Sequence, residues 1–307
     1  MSFLEVKNLV KHYKVGQNTV KALDGVSFNL EKKKTLGIVG ESGCGKSTLA
    51  RNLMMIEKPD QGEVLIEGRD LLSMDQKEKN QTVQMIFQDP YNSLNPRKKA
   101  WQIIADPLLI NSNLSKDECY KRSLEMMEFV GLRPDQADRF PHMFSGGQRQ
   151  RLGIARAIIM KPKLIVCDEA VSALDVSVQA QVLNLLVDLQ NEFDLTYLFI
   201  SHDLSVVKHI SDDIMVMYLG RPVELGTYET IDKNPFHPYT KALLGSEPGE
   251  PKPYAIEISG ELPSPLNPPQ GCHFHGRCPF VKDECKVTYP SFINHEGRFT
   301  ACHLTRE

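Results

Sequence analysis

Apolar positions along the chain change their spacing twice. Near the N-terminus, short strand-forming runs at 4–6, 26–30 and 63–66 surround a fourth run at 35–39, and they predict a sheet-rich region. From Trp101 to about Met160 the apolar residues recur at helical spacing instead. After that, strand-like runs at 164–167 and 198–200 flank a helical stretch at 178–190, which is the β–α–β order of a parallel sheet.

A third change follows Asn234, where prolines recur and four of the seven cysteines are concentrated beyond residue 270. Together these changes predict three parts. Residues 1–90 and 161–233 form an α/β core, residues 91–160 an inserted helical subdomain, and residues 234–307 a separate C-terminal extension.

Charge and hydropathy narrow the class of protein. The 36 Lys and Arg residues nearly balance the 39 Asp and Glu residues, so a net charge of −3 gives no overall reason to bind nucleic acid. Apolar runs are far shorter than the roughly 20 residues of a membrane-spanning helix. The first eleven residues lack the pattern of a secretory signal, and a cytosolic protein is predicted.

The strand at 35–39 leads into the pattern G-x-x-x-x-G-K-[ST], and residues 49–55 can continue as a helix. Glycines let backbone N–H groups face phosphate oxygens, Lys46 would neutralise β- and γ-phosphate charge, and Ser47 would ligate Mg²⁺. A flexible glycine turn with an incidental lysine is the alternative. The predicted phosphate loop comprises Gly40, Glu41, Ser42, Gly43, Cys44, Gly45, Lys46, Ser47 and Thr48.

Two adjacent carboxylates end the apolar run at 164–167. Asp168 at a strand tip can hold Mg²⁺ through water, and Glu169 can polarise a water for attack on a γ-phosphate. The alternative is an ordinary strand that ends in a solvated acidic turn. Combined with the phosphate loop, the pair predicts a nucleoside triphosphatase that uses Mg²⁺, without saying which one.

The segment from Phe144 to Arg151 resembles the signature of ABC ATPases, usually LSGGQ, with Phe144 in place of leucine. A serine and two glycines at the start of a helix make a second anion site, although a plain helix N-cap would show the same residues. The signature residues are Ser145, Gly146, Gly147 and Gln148.

Further ABC-ATPase elements follow in family order. Gln88 resembles the Q-loop residue that senses Mg²⁺ and water, Asp175 the D-loop residue, and His202 the switch histidine that contacts the γ-phosphate. Tyr13 resembles the aromatic residue that stacks on adenine. Structural roles at strand ends are the alternatives for the glutamine and the histidine, and edge packing is the alternative for Tyr13.

Three segments outside the ATPase motifs, 92–97, 237–243 and 260–265, resemble the ATP-binding subunits of dipeptide and oligopeptide importers, particularly their F-type subunits. The resemblance implies an α/β P-loop NTPase of the ABC class. Its parts would be a RecA-like parallel-sheet core, an N-terminal antiparallel β part, an inserted helical subdomain and a small Cys-rich extension. Ala170 departs from the family, which commonly has proline there, but no catalytic group is lost.

The resemblance also implies partners and a location. The partners are a homologous second ATPase subunit in a head-to-tail dimer, two transmembrane permease subunits and an extracytoplasmic peptide-binding protein. The location of this chain would be the cytoplasmic face of the membrane. Importers of nickel or another small ligand are one alternative. The other is a soluble ABC protein acting on ribosomes or DNA, which the near-neutral charge disfavours.

Four cysteines of the extension can supply thiolates to a zinc ion or to an iron–sulfur cluster. The importer resemblance implies a [4Fe–4S] cluster with a structural role, while zinc and free or oxidised thiols are the alternatives. His273, His275, His295 and His303 are substitute ligands. The four predicted cluster ligands are Cys272, Cys278, Cys285 and Cys302.

Overall fold

The structure is a computed structural model that describes residues 2–89, 91–246 and 252–306. The chain divides into two compact units. Unit 1 comprises residues 1–30, 35–70 and 200–307, and unit 2 comprises residues 31–34 and 71–199. The strands of the described residues are β1 (Leu4–Val15), β2 (Asn18–Leu30), β3 (Thr35–Val39), β4 (Gln61–Ile66), β5 (Arg69–Asp70), β6 (Val83–Ile86), β7 (Leu164–Asp168), β8 (Thr196–Ile200), β9 (Asp213–Tyr218), β10 (Arg221–Thr227), β11 (Ile293–His295) and β12 (Arg298–Thr300).

Helices occur in both units, and in the described part of the chain none is long and apolar enough to cross a membrane. They are α1 (Lys46–Leu53), α2 (Gln76–Thr82), α3 (Ala100–Asn111), α4 (Lys116–Phe129), α5 (Gly146–Ile158), α6 (Val176–Phe193), α7 (Leu204–Ile210), α8 (Tyr228–Lys233), α9 (Pro238–Gly245) and α10 (Asp283–Val287).

Unit 1 contains an antiparallel sheet in the order β2, β1, β4, β5. Its long hairpin pairs Leu4 with Leu30 at one end and Val15 with Asn18 at the other, with irregular register between them. Alternate apolar side chains on the first half of β1 are buried, as expected for a sheet with one face on a core. Tyr13 lies on the more exposed second half of β1, opposite Val20.

A second series of strands in unit 1 runs β11, β12, β10, β9, β3. All five residues of β3 are buried, which is typical of a parallel strand covered on both faces, and β3 pairs in parallel with β9. At the other side, β12 of the C-terminal extension pairs antiparallel with β10, with Glu224 opposite Thr300. The extension therefore continues the same series of strands that positions β3.

Unit 2 combines strands and helices. β6 pairs in parallel with β7, and β8 lies next to β7. The predicted helical region from Trp101 to Met160 consists of the three separate helices α3, α4 and α5. Trp101 of α3 packs edge-on against Tyr120 of α4 with ring centroids 5.2 Å apart.

The helix after the glycine-rich loop begins inside the loop motif. The sequence allowed residues 49–55 to continue as a helix, and α1 spans Lys46–Leu53. Gly45, with φ 106°, allows the helix to begin inside the glycine-rich loop, where no apolar periodicity is visible. Met55, with φ 53°, takes the left-handed conformation that commonly follows a helix end.

Candidate nucleotide site

The loop between β3 and α1 contains three glycines with positive φ, Gly40 at 150°, Gly43 at 80° and Gly45 at 106°. A Cβ on Gly45 would lie 2.2 Å from the backbone oxygen of Ala22, and one on Gly40 would lie 2.3 Å from that of Met217. Both distances are impossible for a real side chain, so the loop passes between strands at a closeness that only glycine permits. Ser42 and Gly43 form its exposed tip.

Lys46 is the buried cation of this loop, with 6% of its surface exposed. Its Nζ donates to the backbone oxygens of Gly40 at 2.6 Å and Glu41 at 3.1 Å. Burial raises the pKa of the neighbouring Cys44 thiol, which keeps that thiol neutral beside the lysine. The loop therefore carries one preplaced positive charge, which suits an anionic ligand.

Ser47 and Thr48 follow in the first turn of α1, with Ser47 exposed and Thr48 buried. The Tyr13 hydroxyl donates to the Glu57 carboxylate and is also hydrogen-bonded to Thr48. Burial, together with the bond to Glu57, raises the pKa of Tyr13. Thus unit 1 brings the predicted adenine-stacking residue beside the helix that the phosphate loop enters.

His202 is exposed directly after β8 and precedes α7, also in unit 1. Asp203 caps α7 by accepting a hydrogen bond from the backbone N–H of Ser205 at 2.9 Å. The cap fixes the backbone beside the histidine, whose own side chain points to the accessible surface.

In unit 2 the two adjacent carboxylates stand at the end of β7. Glu169 has φ 49°, a left-handed conformation that is unfavourable for residues other than glycine and is concentrated at functional sites. Its Oε2 accepts a hydrogen bond of 2.8 Å from Nε2 of Gln88. The structure therefore joins two predicted catalytic residues that are 81 positions apart. Pro90, in the same Q-loop motif, lies outside the described residues.

Sequence reasoning missed Gln150, which is 2% exposed and belongs to α5. Its Nε2 donates to the backbone oxygen of Ala170 at 2.6 Å and to that of Phe87 at 3.5 Å. It thereby ties the chain next to Glu169 to the chain next to Gln88. The available signal was a polar residue on the apolar face of a predicted helix.

The signature residues form a complete capping box at the start of α5. Ser145 Oγ accepts from the N–H of Gln148 at 3.3 Å, and Gln148 Oε1 accepts from the N–H of Ser145 at 3.0 Å. Gly147 packs so tightly against α6 that a Cβ there would lie 2.5 Å from Cγ1 of Val178. Asp175 begins α6, so the signature and the predicted D-loop lie together within unit 2.

The four cysteines of the extension line one small pocket, together with His275 and His303. His273 and His295 do not line that pocket. Burial raises the pKa of Cys272 to about 12 and that of Cys302 to about 11, and the neighbouring thiols add to both shifts. Over the described ranges, no three His, Cys, Asp or Glu side chains already stand in metal-ligating positions.

A parallel strand leading into a glycine-rich loop, a carboxylate pair on a second strand and a serine-capped signature helix define an ATP-binding cassette. In agreement, residues 23–172 match the ABC transporter family, and residues 223–285 match the oligopeptide/dipeptide transporter C-terminal region.

Curated relatives span nearly the whole chain. It is 55% identical to the dipeptide transport ATP-binding protein DppF of Escherichia coli over 97% of this chain and 93% of that one. It is 51% identical to the oligopeptide transport ATP-binding protein AppF of Bacillus subtilis over 99% and 97%. The chain belongs to this family of dipeptide and oligopeptide transport ATP-binding proteins.

Solved structures agree with the fold. The ATP-binding cassette MJ0796, in a dimeric post-hydrolysis state bound to ADP and Pi, matches with a TM-score of 0.66 and 30% identity over 73% of this chain and 98% of that one. The expected ABC-ATPase fold class and family are thus confirmed.

Proposed function

We propose that this chain hydrolyses ATP to power the import of di- and oligopeptides through separate permease subunits. The observation that carries the hydrolytic part is the Gln88–Glu169 hydrogen bond, because it orients a carboxylate on a strained backbone at the end of a parallel strand. The peptide part is supported by relatives that are described as dipeptide and oligopeptide transport proteins.

The nucleotide would bind first to unit 1. Backbone N–H groups of residues 40–48 face the phosphates, Lys46 neutralises the β- and γ-phosphate charge, and Tyr13 stacks on adenine. Ser47, Gln88 and Asp168 supply the oxygen donors that suit Mg²⁺, and these residues would hold it. Bound Mg²⁺ would neutralise charge that develops on the transferred phosphoryl group.

Hydrolysis then depends on three further side chains. Glu169 polarises the attacking water, Gln88 holds that carboxylate, and His202 contacts the γ-phosphate. In a head-to-tail pair, Ser145 to Gln148 of one chain complete the site of the other, while Asp175 approaches the partner. Positioned charges and donors stabilise a loose phosphoryl-transfer transition state, so turnover requires the closed pair.

The proposed assembly contains a homologous second ATPase subunit, two permease subunits and an extracytoplasmic peptide-binding protein, and it binds no nucleic acid. This chain would lie at the cytoplasmic face of the membrane. Within it, residues 1–90 and 161–233 form the ATPase core, residues 91–160 are the inserted helical subdomain with the ABC signature, and residues 234–307 are the peptide-importer extension.

We also propose that Cys272, Cys278, Cys285 and Cys302 hold a [4Fe–4S] cluster as a structural staple. Four thiols around one pocket are the donor set for such a group or for zinc. A broad visible absorbance band and bound iron after anaerobic purification are expected. Stoichiometric zinc without iron would favour the zinc alternative.

The test of hydrolysis is Glu169→Gln, which preserves the size of the side chain and an oxygen for Gln88. Steady-state turnover should fall about 100- to 1,000-fold because a carboxylate that polarises water is lost. The Kd for ATP should stay within about threefold. Glu192→Gln, at an exposed position near the end of α6, is the control. Wild-type turnover in Glu169→Gln would overturn the assignment.

The transported substrate is tested on the purified complex of this chain with its membrane subunits and binding protein. Dipeptides added with the binding protein should raise ATP turnover, and mass spectrometry of the binding protein should identify a peptide. Stimulation by nickel and not by peptides would instead support the nickel-importer alternative.

A further inference from the structure

The second residue of the phosphate loop is held by the C-terminal extension. Nη1 of Arg277 donates to both carboxylate oxygens of Glu41, at 3.1 Å and 3.0 Å. The Arg277 side chain is 10% exposed and that of Glu41 is 28% exposed, so the ion pair is largely shielded from water. Arg277 also donates to the Tyr218 hydroxyl at 3.3 Å.

A second bond reaches the backbone of the same residue. The N–H of Glu41 donates to the hydroxyl of Tyr239, which lies on α9 of the extension, at 2.9 Å. Tyr239 is 1% exposed and packs with Tyr218 and Phe274, with ring centroids 4.7 and 5.5 Å away. Glu41 is therefore fixed at its main chain and at its side chain, by groups on a packed aromatic platform.

The position of Glu41 matters because Lys46 is hydrogen-bonded to its backbone. Nζ of Lys46 donates to the backbone oxygens of Gly40 and Glu41, so the placement of Glu41 sets the placement of the loop's cation. A carboxylate in an anion-binding loop also opposes a polyphosphate. Arg277 offsets that negative charge and keeps the carboxylate turned toward the extension.

We propose that Arg277 and Tyr239 are positioning residues of the nucleotide site, acting through Glu41, so that ATP affinity depends on the C-terminal extension. The inference rests on the proposed assignment of residues 40–48 as the phosphate loop. It differs from a purely structural role, in which the Arg277–Glu41 pair would fasten the extension without changing the affinity for nucleotide.

The test measures the Kd for MgATP by calorimetry on the 307-residue chain. Arg277→Ala should raise Kd about 10-fold, because Glu41 is left without its charge partner beside the phosphates. Glu41→Gln should raise Kd by a smaller factor than Arg277→Ala does, because it removes the opposing carboxylate together with the ion pair. The double variant Glu41→Gln/Arg277→Ala should recover most of the lost affinity, since the opposing carboxylate is gone.

Lys252→Ala is the matched control. It breaks the 2.7 Å ion pair with Asp232, which fastens another part of the extension within unit 1 and does not involve the loop. Its Kd should equal that of the wild type. An equal rise of Kd in Lys252→Ala and Arg277→Ala would overturn the proposal, because general loosening would then account for the effect.

Two milder variants keep the proposal testable if Arg277→Ala does not fold. Arg277→Lys should raise Kd by a smaller factor than is expected for Arg277→Ala, and Tyr239→Phe should raise Kd about threefold because the Glu41 N–H loses its acceptor. A Kd within twofold of the wild type in both Arg277→Lys and Tyr239→Phe would overturn it.

Lys46→Ala separates this inference from the assignment of the loop. If Lys46→Ala abolishes ATP binding while the Arg277 variants bind normally, only the role of Arg277 is wrong. If Lys46→Ala binds ATP like the wild type, the assignment of the loop itself fails, and the inference fails with it.

Discussion

Two helices, α5 and α1, begin at glycine-rich segments, and they differ in whether a side chain caps their first N–H groups. At α5, Ser145 and Gln148 close a capping box from their own side chains. At α1, Gly45 occupies the N-cap position, and among the described residues no side chain makes the cap bond. The signature helix therefore caps its own first turn, whereas the loop helix begins in a form that favours an external anion.

Two glycine-rich motifs can therefore differ in their physical effect. Glycine at a helix start only frees the backbone, and the neighbouring side chains decide whether the amides are capped internally. Lys46 adds a buried charge at the open start, while the closed start offers Ser145 on an exposed surface. The two proposed roles agree with this difference: phosphate would bind directly at the open start, and the closed start would complete a site on a second chain.

Lys46→Ala is expected to have the largest effect. It removes the charge that complements phosphate at the open helix start, and we expect the Kd for MgATP to rise at least about 100-fold, which corresponds to roughly 2.7 kcal/mol. Calorimetry on the purified chain measures it. Lys163→Ala, at an exposed position just before β7, should bind normally. Unchanged affinity in Lys46→Ala would remove the contrast between the two helix starts.

Gly45→Ala should destabilise the protein by about 2 kcal/mol or more, because a non-glycine residue at φ 106° is strained and its Cβ meets the Ala22 oxygen at 2.2 Å. The matched substitution is Gly153→Ala inside α5. A Cβ at that position would have no described atom within 4 Å. The free energy of unfolding of that variant should rise by about 0.5–1 kcal/mol. Urea unfolding measures the stability of both variants, and equal losses of stability would contradict the structure of the loop.

Ser145→Ala has the smallest expected effect on stability, about 1 kcal/mol or a fall of about 2–4 °C in Tm, because only one cap bond is lost. Turnover should nevertheless fall at least about 10-fold in the assembled complex. Asp75→Ala removes a similar cap, whose carboxylate accepts from the N–H of Glu78 at 2.8 Å in α2. It should lower Tm equally and leave turnover intact. Equal turnover in both variants would reduce Ser145 to an ordinary cap.

Local patterns predicted the elements around the loop well. The strand at 35–39 was predicted at its observed bounds, since a continuous apolar run between polar residues has a clear start and end. The hairpin of β1 and β2 is longer than predicted because its outer half, 11–15, is largely polar and contains no fully buried residue. β11 and β12 were not predicted, since three-residue polar strands carry little periodic signal.

Contacts distant in sequence could not be read from the sequence. Arg277 and Glu41 are 236 positions apart, and neither residue belongs to a pattern that indicates the other. Gln150 likewise donates a long-range hydrogen bond to the backbone of Ala170, and no sequence motif predicts that contact. The motifs therefore predicted which residues belong to the site, whereas the supports of those residues became visible only in three dimensions.

The division of unit 1 by the inserted residues 71–199 has a consequence for synthesis. Strand β3 and its loop leave the ribosome before β9, the parallel partner of β3, and the interval from Val39 to Asp213 covers about 175 residues, or roughly 9 to 35 seconds of translation. During that time the apolar strand is without this partner, and exposed apolar strands are prone to aggregation. A nascent chain that has not yet reached residue 277 carries the phosphate loop but lacks the arginine that holds Glu41.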